Sequence, residues 1–151
     1  MSQAARIREP EKSPCNNKHH AQIYEIISRQ RYSSEQLLKY LKAKRAAFAD
    51  GDFALADRLE SGIARLGETI ALSMDELQRL LAGQSLEAFC ANFPEHMSLP
   101  LTSVAAEISR LEWLCLKELS GINALLQNSI GVGGPFALSG QQKRSSSRAN
   151  G

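Results

Sequence analysis

Histidine and cysteine side chains near the start of the chain are the first candidates for chemistry. Cys15, His19 and His20 lie close together, and thiolate and imidazole groups are common zinc ligands. A zinc site needs four ligands at suitable spacing, and the other donors, Cys90 and His96, are distant in sequence. A phosphorelay histidine needs an exposed position in mid-helix, whereas these histidines stand at a predicted helix start. The sequence therefore predicts a solvated linker here and no metal site.

Two further motifs could be taken for parts of an active site. Gly131-Val132-Gly133-Gly134 is glycine-rich, but it follows a predicted helix and precedes none, whereas a phosphate loop opens a helix. Asp50 and Asp52 flank Gly51, which is typical of a turn and a helix cap. No Ser/His/Asp or Cys/His set has an organising motif. The sequence predicts no catalytic residue, no cofactor and no enzyme.

Composition limits the class of protein and its partners. The 151 residues are 43% apolar, which fits one globular domain. Residues 1–20 carry a net charge of +2 and residues 131–151 of +3, but residues 21–130, with eleven basic and fourteen acidic side chains, carry −3. An acidic body argues against a dedicated nucleic-acid binder, although the basic tail can touch phosphate weakly.

Cysteine usage and hydropathy indicate a compartment. The three cysteines are scattered, which predicts a reducing environment and no disulfide framework. Charged residues interrupt any apolar run near Met1, so no secretory signal is expected. No run of about 18 apolar residues exists, so the chain is expected to be cytoplasmic and not inserted in a membrane.

Apolar spacing predicts two long helices joined by a tight turn. The first spans 19–49, and its stripe is partly polar because Gln30, Ser34 and Lys44 occupy stripe positions. The second spans 53–82 with a 3.5-residue period typical of a coiled coil, broken at Ser73. Gly51 and Asp52 are expected to end one helix and cap the next, so the two helices pack antiparallel.

A short helical turn at 86–92 and a loop at 93–100 are predicted to precede a third long helix. Thr102 is the expected cap of that helix, which spans 103–129. The fold class is therefore all-α, an elongated antiparallel three-helix bundle or coiled coil with disordered termini. The predicted organisation is a flexible segment at 1–18, a helical bundle domain at 19–130 and a flexible tail at 131–151.

The third helix has more apolar residues than one seam can cover. Leu111, Leu114 and Cys115 are expected in the core. The first two helices are expected to end before the C-terminal end of the third helix. The apolar side chains at that end would then be free to contact another chain. An exposed apolar patch of this kind marks a binding site, and a helix laid against a helix is a common mode of recognition. The residues in surplus are Trp113, Leu116, Leu119, Ile122, Leu125, Leu126 and Ile130.

Three segments resemble the FlgN family of flagellar type III export chaperones. The segment "FADGDFALADRLE", 48–60, is similar to the family's acid-glycine turn between two long helices. The segment "EWLCLKELSGINALLQNSI", 112–130, is similar to its last helix, with Asn123 and Asn128 among leucines. The segment "PFALSG", 135–140, is similar to the aromatic-then-glycine segment that follows this helix.

This resemblance implies a chaperone that binds the C-terminal helical regions of hook-associated flagellar proteins in the cytoplasm. It would keep these proteins unassembled and deliver them to export apparatus components, as a monomer or weak homodimer without cofactor or metal. The alternative is a homo-oligomeric coiled-coil structural or adaptor protein. The client-binding positions that the resemblance implies are Ile122, Leu125, Leu126, Ile130, Phe136 and Leu138.

Overall fold

The computed structural model describes residues 14–133, and it places the side chains of residues 17–128. These residues form four helices: α1, Pro14–Ala49; α2, Phe53–Leu81; α3, Leu86–Cys90; and α4, Glu95–Gly133. No strand occurs within this described range, so the all-α prediction is confirmed. Most of the predicted flexible ends, 1–13 and 134–151, lie outside the described residues.

Helix α1 begins earlier than the apolar pattern predicts. It starts at Pro14 and not at His19, so the prediction of a non-helical 14–18 is wrong. Proline is favoured at the first helical position because its missing N–H would have no intrahelical acceptor there. The polar residues of 14–18 carry no apolar period, so the pattern gave no helix signal.

Helix α4 also begins earlier than predicted, so the expected loop at 93–100 is wrong. The carbonyl oxygen of Pro94 accepts from the N–H groups of Met97 and Ser98 at 2.9 and 3.1 Å, which opens the helix there. Pro100 lies within α4, close to its start. Thr102 is not the cap, because its hydroxyl donates to the Leu99 carbonyl oxygen at 3.1 Å within the same helix.

The turn between α1 and α2 is confirmed. Gly51 has a φ of +75°, a conformation that glycine adopts without the steric cost of a Cβ. The N–H groups of Gly51 and Asp52 donate to the carbonyl oxygens of Phe48 and Ala47 at 3.1 and 2.8 Å, which satisfies the end of α1. Asp52 Oδ1 then accepts from the Leu55 N–H at 3.1 Å and caps α2.

The described chain divides into two compact units, each containing parts of the long helices. The first comprises the chain up to Leu37 together with Ala64–Trp113. In this unit α3 is capped by Ser85, whose Oγ accepts from the Ala88 N–H at 3.0 Å, and it buries Phe89 against the long helices. The core cluster contains Ile23, Ile27, Leu81, Phe89, Cys90, Leu101, Val104 and Ile108.

The core of the first unit also contains polar side chains. Gln30, Ser34 and Ser73, which interrupt the predicted apolar stripes, are all buried. The stripe positions are therefore confirmed even where the residue is polar. Ion pairs connect α1 to its neighbours, from Arg31 to Glu107 at 3.2 Å and from Arg29 to Glu76 at 3.7 Å. Exposed pairs of this kind contribute roughly 0–1 kcal/mol each, so burial dominates.

The second unit comprises Leu38–Ile63 and the chain from Leu114 onward. Its buried apolar residues include Leu41 of α1, Ala56 of α2 and Cys115 of α4. Helix α1 packs closely on α2 here, because a Cβ at Gly62 would lie 2.3 Å from Tyr40 Cε2. Lys44 pairs with Glu60, which holds the same two helices together at the surface.

Two glycines of α2 provide a matched test of this close packing. Replacing Gly67, which has no atom within 4 Å of an added Cβ, with alanine should stabilise the helix by up to about 1 kcal/mol. Gly62→Ala gains the same helix propensity but overpacks against Tyr40, which costs about 1–3 kcal/mol. Thermal unfolding should therefore show a rise in Tm for Gly67→Ala and a fall for Gly62→Ala. Equal rises would contradict the packing at Gly62.

Candidate functional site

The C-terminal part of α4 is positioned by an arginine of α1. Arg45 Nη1 donates to Glu118 Oε1 at 3.4 Å. The Arg45 side chain lies across Gly121, where an added Cβ would be 2.6 Å from the Arg45 Cζ. The glycine therefore lets the guanidinium pass directly over the helix backbone, so this arginine fixes which residues of α4 lie at the end of α1.

Helix α4 extends past the end of α1. Beyond Arg45, α1 continues only to Ala49, roughly 6 Å at 1.5 Å per residue. From Gly121, α4 continues in the same direction to Gly133, roughly 18 Å. The last two turns of α4, approximately, therefore extend beyond the last residue of α1. The helix also runs through Gly131, so the expected stop at that residue lies instead after Gly133.

One face of this part of α4, the inner stripe, belongs to the core of the second unit. It consists of Cys115, Ile122 and Leu125, of which the first two are buried and the third is half-buried. Ile122 has only 2% of its surface exposed. The prediction that Ile122 lies on an exposed client-binding stripe is therefore wrong, because Ile122 lies one heptad after Cys115 on the same buried face of α4.

A second apolar face, the outer stripe, starts one residue later and is rotated by roughly 100° about the helix axis. Leu116 is 65% exposed and Leu119 is 40% exposed. Asn123 is exposed and Leu126 half-buried. Their 3-4-3 spacing is that of a seam for a further helix, and the register continues to position 130. The outer stripe consists of Leu116, Leu119, Asn123, Leu126 and position 130.

The predicted site residues are thus divided between these two faces. Ile122 and Leu125 lie on the inner stripe, and Leu126 lies on the outer one. The side chain of Ile130 and all of Phe136 and Leu138 lie outside the described side chains, so their expected role stays a prediction. Leu116 and Leu119 belong to the predicted surplus of apolar residues on this helix but not to the predicted client-binding positions. A second heptad register, one residue out of phase with Cys115 and Ile122, is the sequence signal that identifies them.

His20 and Cys90, two of the potential metal ligands, lie in defined environments in the first unit. His20 Nε2–H donates to the Met97 carbonyl oxygen at 2.7 Å, and its ring lies 5.0 Å from that of Phe93. No group of three or more potential metal ligands occurs among the described residues. Burial raises the pKa of the Cys90 thiol and Glu87 raises it further, which disfavours the reactive thiolate.

A groove of about 570 Å³ lies between α1 and α2 in the first unit. Its walls include Tyr24 and Tyr32, two exposed aromatic side chains, and Thr69 of α2. Ser28 lies between the tyrosines, and its buried hydroxyl has no hydrogen-bond partner. Glu25, Arg29 and Ser33 of α1 also line the groove.

Comparison with known protein families, with curated proteins and with solved structures finds no match to this chain. No helix in the described range is long and apolar enough to cross a membrane. The buried and exposed faces of α4 are therefore the features of the chain that bear on its function.

Charge substitution distinguishes the two stripes. Leu116→Lys keeps a good helix former at an exposed position, so the free energy of unfolding should change by no more than about 0.5 kcal/mol. Ile122→Lys places a charge in an apolar core and should cost about 3 kcal/mol or more. Urea unfolding followed by circular dichroism measures both. Similar losses for the two variants would place Leu116 in the core.

Proposed function

We propose that this chain is a cytoplasmic export chaperone of the FlgN kind, which binds hook-associated flagellar proteins and keeps them unassembled before type III secretion. The observation that carries the proposal is the outer stripe, because Leu116 and Leu119 expose large apolar surfaces on a helix that is already packed on its inner face. A soluble helix with a second apolar seam gains free energy by accepting a partner helix. The resemblance of 48–60 and 112–130 to the family supports the same conclusion.

The architecture we propose for this function is an antiparallel three-helix bundle formed by α1, α2 and α4, with α3 as a short addition. Contacts within the units support it, since α1 contacts both α2 and α4 in each of them. In such a bundle α1 and α2 cover the inner stripe of α4 and leave the outer stripe to the client. No catalytic group is required, because the function consists of covering a client surface.

The size of the outer stripe sets the expected affinity. Burying an aliphatic side chain of this kind contributes roughly 1.5–3 kcal/mol before ordering costs. Leu116, Leu119 and Leu126, with Ile130 as a fourth member, would supply about 6–12 kcal/mol, from which association costs of at least about 4 kcal/mol are subtracted, so a complex of about micromolar affinity or weaker is expected. Phe136 and Leu138 would add to this surface if the segment after α4 also contacts the client.

Isothermal titration calorimetry with the C-terminal helical region of a hook-associated protein tests the proposal. Wild-type chain should bind, and Leu116→Lys and Leu119→Lys should each weaken binding at least about tenfold, because a lysine charge would be desolvated in an apolar interface. Leu72→Lys is the matched control, since Leu72 is 68% exposed on α2 and should not affect binding. Absence of binding, or equal binding by all variants, would refute the proposed site.

The alternative, a homo-oligomeric coiled coil, would use the same stripe differently. Two copies could pair along Leu116 to position 130, with Asn123 facing its counterpart, since a polar residue at one seam position specifies register and oligomeric state. Sedimentation equilibrium separates the two functions. A stable wild-type dimer that Leu116→Lys converts to monomer would favour the coiled coil over the chaperone.

A further inference from the structure

Beyond Leu116, which precedes Lys117 and Glu118, the outer stripe lies in a long stretch of helix that contains no charged side chain. From Leu119 to Gly133, α4 has no Asp, Glu, Lys, Arg or His. The preceding charge, Glu118, is already paired with Arg45. Solvent-facing helix surfaces normally carry charged residues opposite their apolar stripe. A helix surface that is exposed only to water is therefore not expected to lack charged residues in this way.

The polar residues along the outer stripe are amides and a hydroxyl. Ser120 and Gln127 flank the stripe on the side away from Ile122, and Asn123 lies in its middle. All three are exposed. In a two-helix seam, flanking positions usually hold charges that select a partner of opposite charge. Here they offer hydrogen bonds without charge, so they can satisfy uncharged polar groups but cannot compensate a buried ion.

These features define the chemistry of a partner. A charged side chain placed against Leu119, Asn123 or Leu126 would lose its hydration and meet no opposite charge, which is unfavourable. A leucine placed opposite Asn123 would leave the amide buried without a hydrogen bond, which is also unfavourable. A partner helix with an uncharged polar group at that level avoids both costs.

We propose that the outer stripe selects an amphipathic helix whose contact face is free of charge, with leucine or isoleucine at 3-4 spacing and an Asn, Gln, Ser or Thr opposite Asn123. This inference rests on the proposed chaperone function and specifies the client surface for it. Recognition then depends on apolar burial and neutral hydrogen bonds. Because no interfacial ion pair contributes, binding is insensitive to ionic strength.

Three synthetic helical peptides test this selectivity by calorimetry with the full chain. They share the leucine pattern and a central Asn, and they differ only at the flanking positions. The neutral peptide has Gln and Ser at these positions, the second peptide has Glu and the third has Lys. The neutral peptide should bind, with Kd changing less than about twofold between about 50 mM and about 500 mM salt. The Glu and Lys peptides should bind at least about tenfold more weakly. Equal binding of the three peptides, or loss of the neutral complex at high salt, would overturn the inference.

A double variant provides a gain of binding that misfolding cannot produce. Ser120→Glu with Gln127→Glu adds acidic flanks to the stripe and should tighten binding of the Lys peptide at least about tenfold at low salt, with the gain lost at high salt. Leu116→Lys should weaken the neutral peptide in the wild-type background. Unchanged preference in the double variant would show that these positions do not face the partner.

Two further measurements separate this inference from other occupants of the stripe. Binding of the chain to phosphatidylcholine vesicles, abolished by Leu116→Lys, would assign the stripe to a lipid surface and overturn the inference. If a hook-associated protein fails to bind while the neutral peptide binds, the proposed chaperone function is refuted. The inference that the stripe selects an uncharged helix is then still supported. If the hook-associated protein binds but the charged peptides bind as well as the neutral one, only the selectivity fails.

Discussion

Helix α4 carries two apolar faces, and the packing of the second unit buries only the inner one. Two packed helices present a single groove, and a third helix that fills the groove buries one stripe of its own surface. In the second unit that stripe contains Cys115 and Ile122. The outer stripe is one residue out of phase, so Leu116 and Leu119 remain exposed. Any rotation of α4 that buried Leu116 would expose Ile122.

Burial of Cys115 and Ile122 sets the position of α4 about its axis, and a small and two charged residues add a close contact that agrees with it. Gly121 lets Arg45 lie across the helix, and Glu118 pairs with the guanidinium at its end. Bulky side chains at position 121 would force the arginine away and free the helix to turn. Glu118 is also the last charged residue of α4. After it the helix continues with leucines, amides and small residues. The packed inner stripe and the exposed outer stripe thus lie on different faces of one helix.

Sequence patterns predicted the parts of the fold that depend on local signals. The turn at Gly51, the cap at Asp52 and the short helix capped by Ser85 follow from residue types whose backbone preferences are strong. The helix starts at Pro14 and Glu95 were missed because both precede the apolar period that identified the helices. Pro100 suggested a loop, but it lies in the second turn of α4, where its missing N–H removes a single intrahelical hydrogen bond and the helix continues.

The candidate site was only partly predictable for a related reason. Spacing placed the apolar surplus on the third helix correctly, but it assigned Ile122 to the exposed face. Spacing identifies stripes without showing which one the neighbouring helices cover. That choice depends on contacts between distant residues, such as Arg45 with Glu118, which no local pattern encodes. Leu116 and Leu119 emerge as exposed only once the inner stripe is assigned.

Amide hydrogen exchange with and without a hook-associated protein tests most directly whether the outer stripe is the client surface. Exchange reports local opening, so a helix covered by a partner exchanges more slowly. Peptides covering Leu116 to Asn128 should be protected on client binding, while peptides covering Leu72 in α2 should be unchanged. Protection confined to α1 and α2, around Tyr24 and Tyr32, with none in α4, would contradict this account.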